Sequence, residues 1–236
     1  MTADSSDTEQ QSGADVSGRV VAVLGGTGPQ GRGLARRLAQ AGHRLVIGSR
    51  STERGQSAAE TLSADIGAAP GAVTGDDNSG AAAAGEIVIV AVPWEGHGEL
   101  LESLREELRG KIVVDCVNPL GFDKQGAYAL DVPEGSAAQQ AAAILPDSTV
   151  VAAFHHVSAV LLEDPEVSSF DLDVLVLGED REATDLVQAL AASIPGMRGV
   201  YAGRLRNAAQ VEAFTANLIS INRRYKAHAG IRVTDV

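Results

Sequence analysis

The chain is 236 residues long, 44% hydrophobic and 21% charged, with a formal net charge of −12 and one cysteine, Cys116. One cysteine excludes an intrachain disulfide framework and a cysteine-rich zinc site, which fits a reducing cytoplasm, and the acidic balance disfavours nucleic acid as a partner. The longest purely apolar run, Ile87-Val88-Ile89-Val90-Ala91-Val92, is far too short to cross a bilayer, so no membrane partner is expected.

Residues 1–17 are polar and acidic, the reverse of a secretory leader, and predict a disordered tail. Arg19–Leu24 then reads as a strand that runs into Gly25-Gly26-Thr27-Gly28-Pro29-Gln30-Gly31. From Gly26 this fits G-x-G-x-x-G, whose glycines serve a tight turn, close backbone approach to a pyrophosphate and close helix packing. Pro29 suits the first helical position, leaving the amides of Gln30 and Gly31 free to point at an anion. A helix over Pro29–Ala41 stops at Gly42, and Arg44–Ile47 is a second strand. A helix over Glu53–Ile66, a short strand at Gly71–Thr74 and a brief acid-capped helix over Asp76–Ala84 follow.

Ile87–Val92 is a strand, Trp94–Leu108 a helix and Lys111–Cys116 a further strand. Asn118–Phe122 is turn-rich, Ser136–Leu145 helical and Thr149–Phe154 extended. Val174–Leu177 is a strand, Arg181–Ser193 a helix, and Arg204–Lys226 a terminal helix long enough to pack across the domain or against a partner subunit. The alternation predicts an α/β fold, a Rossmann-type doubly wound parallel sheet.

Strand two ends Ile47-Gly48-Ser49-Arg50-Ser51, where an NAD-binding protein places an acid on the ribose 2′-hydroxyl. No acid is present. Ser49, Arg50 and Arg54 instead offer a hydroxyl and two guanidinium groups suited to a 2′-phosphate, so NADP is favoured over NAD. Val92-Pro93-Trp94 lies at the carboxyl edge of the sheet, where Pro93 stiffens a backbone able to support a nicotinamide and Trp94 serves as well as a packing anchor. His97, on the following helix, is expected to face solvent, with a hydrogen bond to a ligand as the alternative.

His155 and His156 close another strand, but neighbours on a strand face opposite ways and nothing completes a metal set, so no metal is expected. The tyrosines lack a lysine four residues later, and none of Lys111, Lys124 and Lys226 sits in a catalytic motif. This scarcity of catalytic side chains is compatible with hydride transfer between two cofactors, which needs juxtaposition of two rings more than a side-chain acid. From Arg198 onward seven basic residues face only Glu212 and Asp235, a balance accounted for by solvated helix faces or by an anionic ligand.

Gly25–Ala35, Gly48-Ser49-Arg50, Val92-Pro93-Trp94-Glu95, Val113–Leu120, Val150–Ala159 and Ala202–Asn207 together resemble the NADPH-dependent coenzyme F420 reductases from about Arg19 to near the C-terminus. The resemblance implies a Rossmann domain (18–147) holding NADP, a smaller C-terminal α/β part (148–236) closing the deazaflavin site, and a homodimer. It implies hydride transfer between NADP(H) and coenzyme F420. By motif matching, Gly26, Thr27, Gly28, Pro29, Gln30 and Gly31 hold the pyrophosphate, and Ser49, Arg50 and Arg54 the 2′-phosphate. Val92, Pro93 and Trp94 border the nicotinamide, and Asn118, Pro119, His155, Val157 and Ala159 surround the deazaflavin. The phosphate and oligoglutamate tail of coenzyme F420 would give Arg223 and Arg224 a partner.

The loop alone would also suit an NADPH-dependent reductase of a small imine or carbonyl, or a non-enzymatic NADP-sensing regulator. Arg50→Glu is expected to weaken NADP binding by about 2 kcal/mol or more and NAD binding much less. Titration with both nucleotides checks this, and equal losses would make Arg50 structural.

Overall fold

The computed structural model describes residues 14–236; residues 1–13, most of the expected tail, lie outside the described residues. In the rest of that tail Val16 is half-buried against the core, and Asp15 accepts a hydrogen bond from the Ser17 amide. The chain then runs β1 (Val20–Leu24), α1 (Pro29–Gln40), β2 (Arg44–Ser49), α2 (Thr52–Ile66), β3 (Val73–Asp77), α3 (Asn78–Ala84) and β4 (Ile87–Val90). Next come α4 (His97–Ser103), α5 (Arg105–Leu108), β5 (Ile112–Asp115), β6 (Leu120–Asp123), β7 (Gly126–Ala129), α6 (Ala137–Ile144) and β8 (Thr149–Ala152). The last elements are α7 (Ala159–Glu163), β9 (Leu172–Gly178), α8 (Arg181–Ala192), β10 (Met197–Gly203), a 3-10 turn at Leu205–Asn207, and α9 (Ala208–Tyr225).

Eight strands form one sheet in the order β10-β9-β8-β5-β4-β1-β2-β3, parallel except where β9 runs against β8. This is the expected Rossmann-type α/β fold. Residues 148–236 extend that same sheet, since β8 pairs in parallel with β5 (Asp115 opposite Ala152). Along β1, Val21 and Val23 enter one core layer while Ala22 and Leu24 enter the other, as a strand covered on both faces requires.

Four segments differ from expectation. The helix expected from Trp94 starts at His97, because Gly96 adopts φ +94°, outside helical backbone, and it breaks again at Leu104. The turn-rich stretch after Asn118 forms a hairpin, β6–β7, whose tip is tied by Asp123 Oδ1 accepting from the amides of Gln125 and Gly126. The five-residue helix α7 and the edge strand β10, with its glycines, carry too little periodicity to be read in advance. In the basic C-terminal region, Arg198 and Arg232 pair with the buried Asp173, and Arg204 pairs with Glu179. Structural pairing therefore absorbs part of that charge.

One buried cation locks the first half of the sheet to the second. Arg37 of α1 donates to the carbonyls of Leu161, Leu162, Asp164 and Val167 at 2.6–2.8 Å and lies 5.0 Å from the Phe170 ring centroid. It thus satisfies the open carbonyl end of α7. Arg37→Met is expected to lower the unfolding free energy by about 3 kcal/mol or more, since several buried carbonyls lose their donor at once. An unchanged urea midpoint would show that α7 is held by other contacts.

Candidate cofactor site

The glycine turn sits at the carboxyl edge of β1. Gly25 carries the positive φ (+70°), so the tight turn falls one residue before the G-x-G-x-x-G frame. A Cβ at Gly26 would meet Val23 O and Ile47 Cγ2 at 2.9 Å, and one at Gly31 would meet Gly25 O at 2.7 Å. At Gly28, the N-cap of α1, the nearest atom would be Gly25 O at 3.4 Å, leaving its outer side open. The first amide of α1 to close a helical bond is that of Arg32, to Gly28 O at 2.8 Å. The amides of Gln30 and Gly31 precede it at the positive end of the helix dipole, behind Pro29.

Ser49 ends β2 beside this turn, its hydroxyl 3.3 Å from that of Thr27. Arg50 and Arg54 are exposed, and among the described residues neither has an ion-pair or hydrogen-bond partner. Arg54 and Thr27 line a cleft of about 660 Å³ between α1 and α2. Asn78, which sequence reasoning did not single out, accepts from the Gly25 amide (3.3 Å) and supports the turn from α3. Its signal was position alone, one residue after Asp77, whose carboxylate caps α3 through Gly80 N.

The next strand ends complete the edge. Val92 and Trp94 are half-buried and Pro93 is exposed. Asn118 donates to His155 O at 2.8 Å, and Thr215 of α9 donates to Asn118 Oδ1 and His155 O at 3.4 and 3.3 Å. Asn118 and Ala159 are half-buried, whereas Pro119, His155 and Val157 are buried.

The two strand-end histidines diverge, as a strand end requires. Phe154 at φ +63° turns the chain and is itself fully buried, while Gln30 Nε2 donates to its carbonyl. His156 Nε2 accepts from Leu175 N, whereas neither nitrogen of His155 has a hydrogen-bond partner among the described residues. Burial pushes both pKa values down to about 4, so both rings are neutral at pH 7.

His97 does not face solvent: it is fully buried, with Nε2 2.6 Å from Asp115 Oδ2 and Nδ1 3.1 Å from Gln140 Oε1. Gly96 turns the helix start inward, and the carboxylate of Asp115 at the end of an apolar strand requires a cation. Burial alone would lower the His97 pKa, but the charge and hydrogen bond of Asp115, with Gln140 and Glu212, outweigh it and the net shift is upward. Glu212 of α9 accepts from the amides of Ala137 and Ala138 at the start of α6, and burial pushes it up to about 7. Sequence reasoning used neither Asp115 nor Glu212. The available signal was a carboxylate ending the apolar run Val113-Val114-Asp115.

A parallel sheet of this order, with a glycine turn feeding a helix at its edge, defines a Rossmann-type dinucleotide-binding protein. The model of the family described as NADP oxidoreductase, coenzyme F420-dependent, matches residues 20–119. The F420-dependent NADP reductase of Methanocaldococcus jannaschii is 38% identical over 228 residues, covering 92% of this chain and 98% of that protein. That of Methanothermobacter marburgensis is 38% identical over 221 residues with the same coverage. A crystal structure from Arthrobacter sp. FB24, provisionally described as an F420-dependent NADP-reductase, aligns with TM-score 0.77 and 27% identity over 92% of this chain and all of that one. The chain belongs to the F420-dependent NADP reductase family.

The buried histidines make stability depend on pH. Unfolded, His155 and His156 bind a proton near 6.5, and folded only near 4. Their contribution is fully present above 6.5 and is lost as pH falls toward 4, at up to about 1.4 kcal/mol per pH unit for each ring. Glu212, raised from 4.5 to about 7, opposes this with one proton, its contribution being lost as pH rises through that window. His43, whose pKa burial also lowers, adds to the histidine side, so the net expectation between pH 6.5 and 4.5 is stability falling toward acid, and His155→Leu should make that fall shallower. Denaturant curves at each pH test this, and parallel wild-type and variant curves would overturn it.

Proposed function

We propose that this chain transfers a hydride between NADP(H) and the deazaflavin coenzyme F420. The observation that carries the reading is identity of 38% along nearly the whole chain with proteins named for that reaction. The residues present fit both groups. Gly28 leaves its outer side open for a pyrophosphate, the Gln30 and Gly31 amides point along a helix start, and Arg50 and Arg54 stand without partners where an NAD site would hold an acid.

In this reading Gly26, Thr27, Gly28, Pro29, Gln30 and Gly31 bind the pyrophosphate and Ser49, Arg50 and Arg54 the 2′-phosphate. Val92, Pro93 and Trp94 border the nicotinamide, while Asn118, Pro119, His155, Val157 and Ala159 form the deazaflavin side. When bound, the two cofactors supply the redox chemistry, a two-electron hydride passing from one ring to the other. The chain's own part is to hold both rings and to keep water from between them. No side-chain acid or base is needed, and the neutral His155 contributes shape rather than a proton. Residues 18–147 serve the NADP side and 148–236 close the deazaflavin side.

We assign the active form as a homodimer, supported by Phe122, Phe214 and Tyr225, large apolar side chains exposed on the β6–β7 hairpin and α9. A cytoplasmic location accords with the single cysteine, a buried free thiol, and no helix among the described residues is long and apolar enough to cross a membrane.

Mixing the chain with NADP and reduced coenzyme F420 is expected to restore the absorbance of the oxidised deazaflavin as NADPH forms. Gly28→Ala, sterically tolerated by the fold, should keep stability within about 1 kcal/mol and weaken NADP binding at least about tenfold. Tight NADP binding with no deazaflavin oxidation would overturn the reading.

A further inference from the structure

A buried ion pair joins the nicotinamide wall to the deazaflavin wall. Asp115 is the last residue of β5 and His97 the first of α4, and both side chains are fully buried. Gln140 Nε2 donates to Glu134 Oε2 (3.3 Å), which turns its amide oxygen, rather than its N–H group, toward His97 Nδ1. An acceptor at each ring nitrogen favours the doubly protonated ring, in the same direction as the raised pKa of His97. The groups facing the pair are Asp115 from β5, Gln140 and behind it Glu134 from the α6 side, Glu212 from α9, and the neutral His155 from the end of β8.

Each end of the pair reaches one wall. The His97 ring lies 5.5 Å from the Trp94 ring, tilted by 31°, so a cation sits against the indole. The other oxygen of Asp115, Oδ1, accepts from Val117 N at 3.0 Å and shapes the turn that presents Asn118 and Pro119. Asn118 is then fixed by Thr215, one helical turn beyond Glu212 on α9.

We propose that His97 and Asp115 are positioning residues: their ion pair fixes the Trp94 indole against the Val117–Pro119 turn and so sets the separation of the two rings between which the hydride passes. This rests on the reaction proposed above. The physical reason is sensitivity to distance, because a misplacement of about 1 Å at the reacting atoms costs on the order of a hundredfold in rate. A directional ion pair holds such a distance more tightly than apolar packing, which tolerates sliding. Losing one partner also leaves a buried, uncompensated charge that pushes the walls apart.

Trp94 is the only tryptophan of the chain, so indole fluorescence reads the His97 charge directly. In the wild-type protein Trp94 emission should be quenched and flat through pH 6.5, where an ordinary histidine titrates; in His97→Gln it should be brighter and independent of pH. With folding confirmed by circular dichroism, the single-turnover rate from NADPH to oxidised coenzyme F420 should fall at least about thirtyfold in His97→Gln and in Asp115→Asn. The NADPH dissociation constant should move less than about threefold. Gln140→Leu, at a half-buried helix position, guards against unfolding of the first two and should slow the step at least about fivefold while raising Trp94 emission. Rates within about threefold of wild type in the folded variants would overturn the proposal, as would a wild-type emission step at pH 6.5. A wild-type protein that moves no hydride would instead remove the reaction itself.

Discussion

The carboxyl edge of the sheet depends on how closely α1 approaches its neighbours. Gly31 lets α1 pack at backbone distance on the glycine turn, and Gly33 lets Leu162 of α7 come within 2.5 Å of where a Cβ would stand. Arg37 then clamps the far end of α7 through its carbonyls, while Gln30 reaches Phe154 O and Arg32 pairs with Glu163. One helix therefore touches both the glycine turn and the 154–163 segment proposed for the deazaflavin side. A shift of α1 moves both, so the two half-sites share one rigid reference.

Electrostatics inside that frame separates two kinds of buried histidine. His97 gains a carboxylate and an amide oxygen, which favour its charged form, whereas His155 gains neither and gives its charge up to burial. Low local polarity makes both outcomes firm, because a paired charge is held strongly and an unpaired one is expelled. The consequence is a neutral ring on the proposed deazaflavin side and, behind Trp94, a ring whose charged form is favoured. Neither ring is arranged as a proton donor to a substrate oxygen, which suits a ring-to-ring transfer better than reduction of a carbonyl.

Much of this was legible in the sequence, for a physical reason. The glycine turn, α1 and the end of β2 are contiguous, and their chemistry is local: backbone sterics at Gly26 and Gly31, a proline at the first helical position, and arginines in place of an acid. The elements misread were those that long-range contacts decide. Periodicity through Trp94–Leu108 suggested one helix, but Gly96 and Leu104 break it, and only the fold reveals that the break turns His97 inward to Asp115. The β6–β7 hairpin and α7 are too short for a periodic signal, and their stability comes from α9 and from Arg37. The walls of the second ring were least readable because Asn118, His155 and Thr215 meet only in three dimensions.

That last meeting gives the C-terminal helix a role beyond closing the core. Glu212 and Thr215 stand three residues apart, on one face of α9. One holds the start of α6 through the Ala137 and Ala138 amides, and the other holds Asn118 against the His155 carbonyl. These contacts span 60 to 97 residues of sequence, so the segment proposed for the deazaflavin is not complete until α9 docks. The phosphate turn draws mainly on nearer elements, β1, α1, β2 and α3, with Ala91 packed against Gly25 and Gln30 reaching the Phe154 carbonyl. In the proposed reading the phosphate turn is thus the more local structure and the second-cofactor side the more tertiary one, resting on what α9 presents.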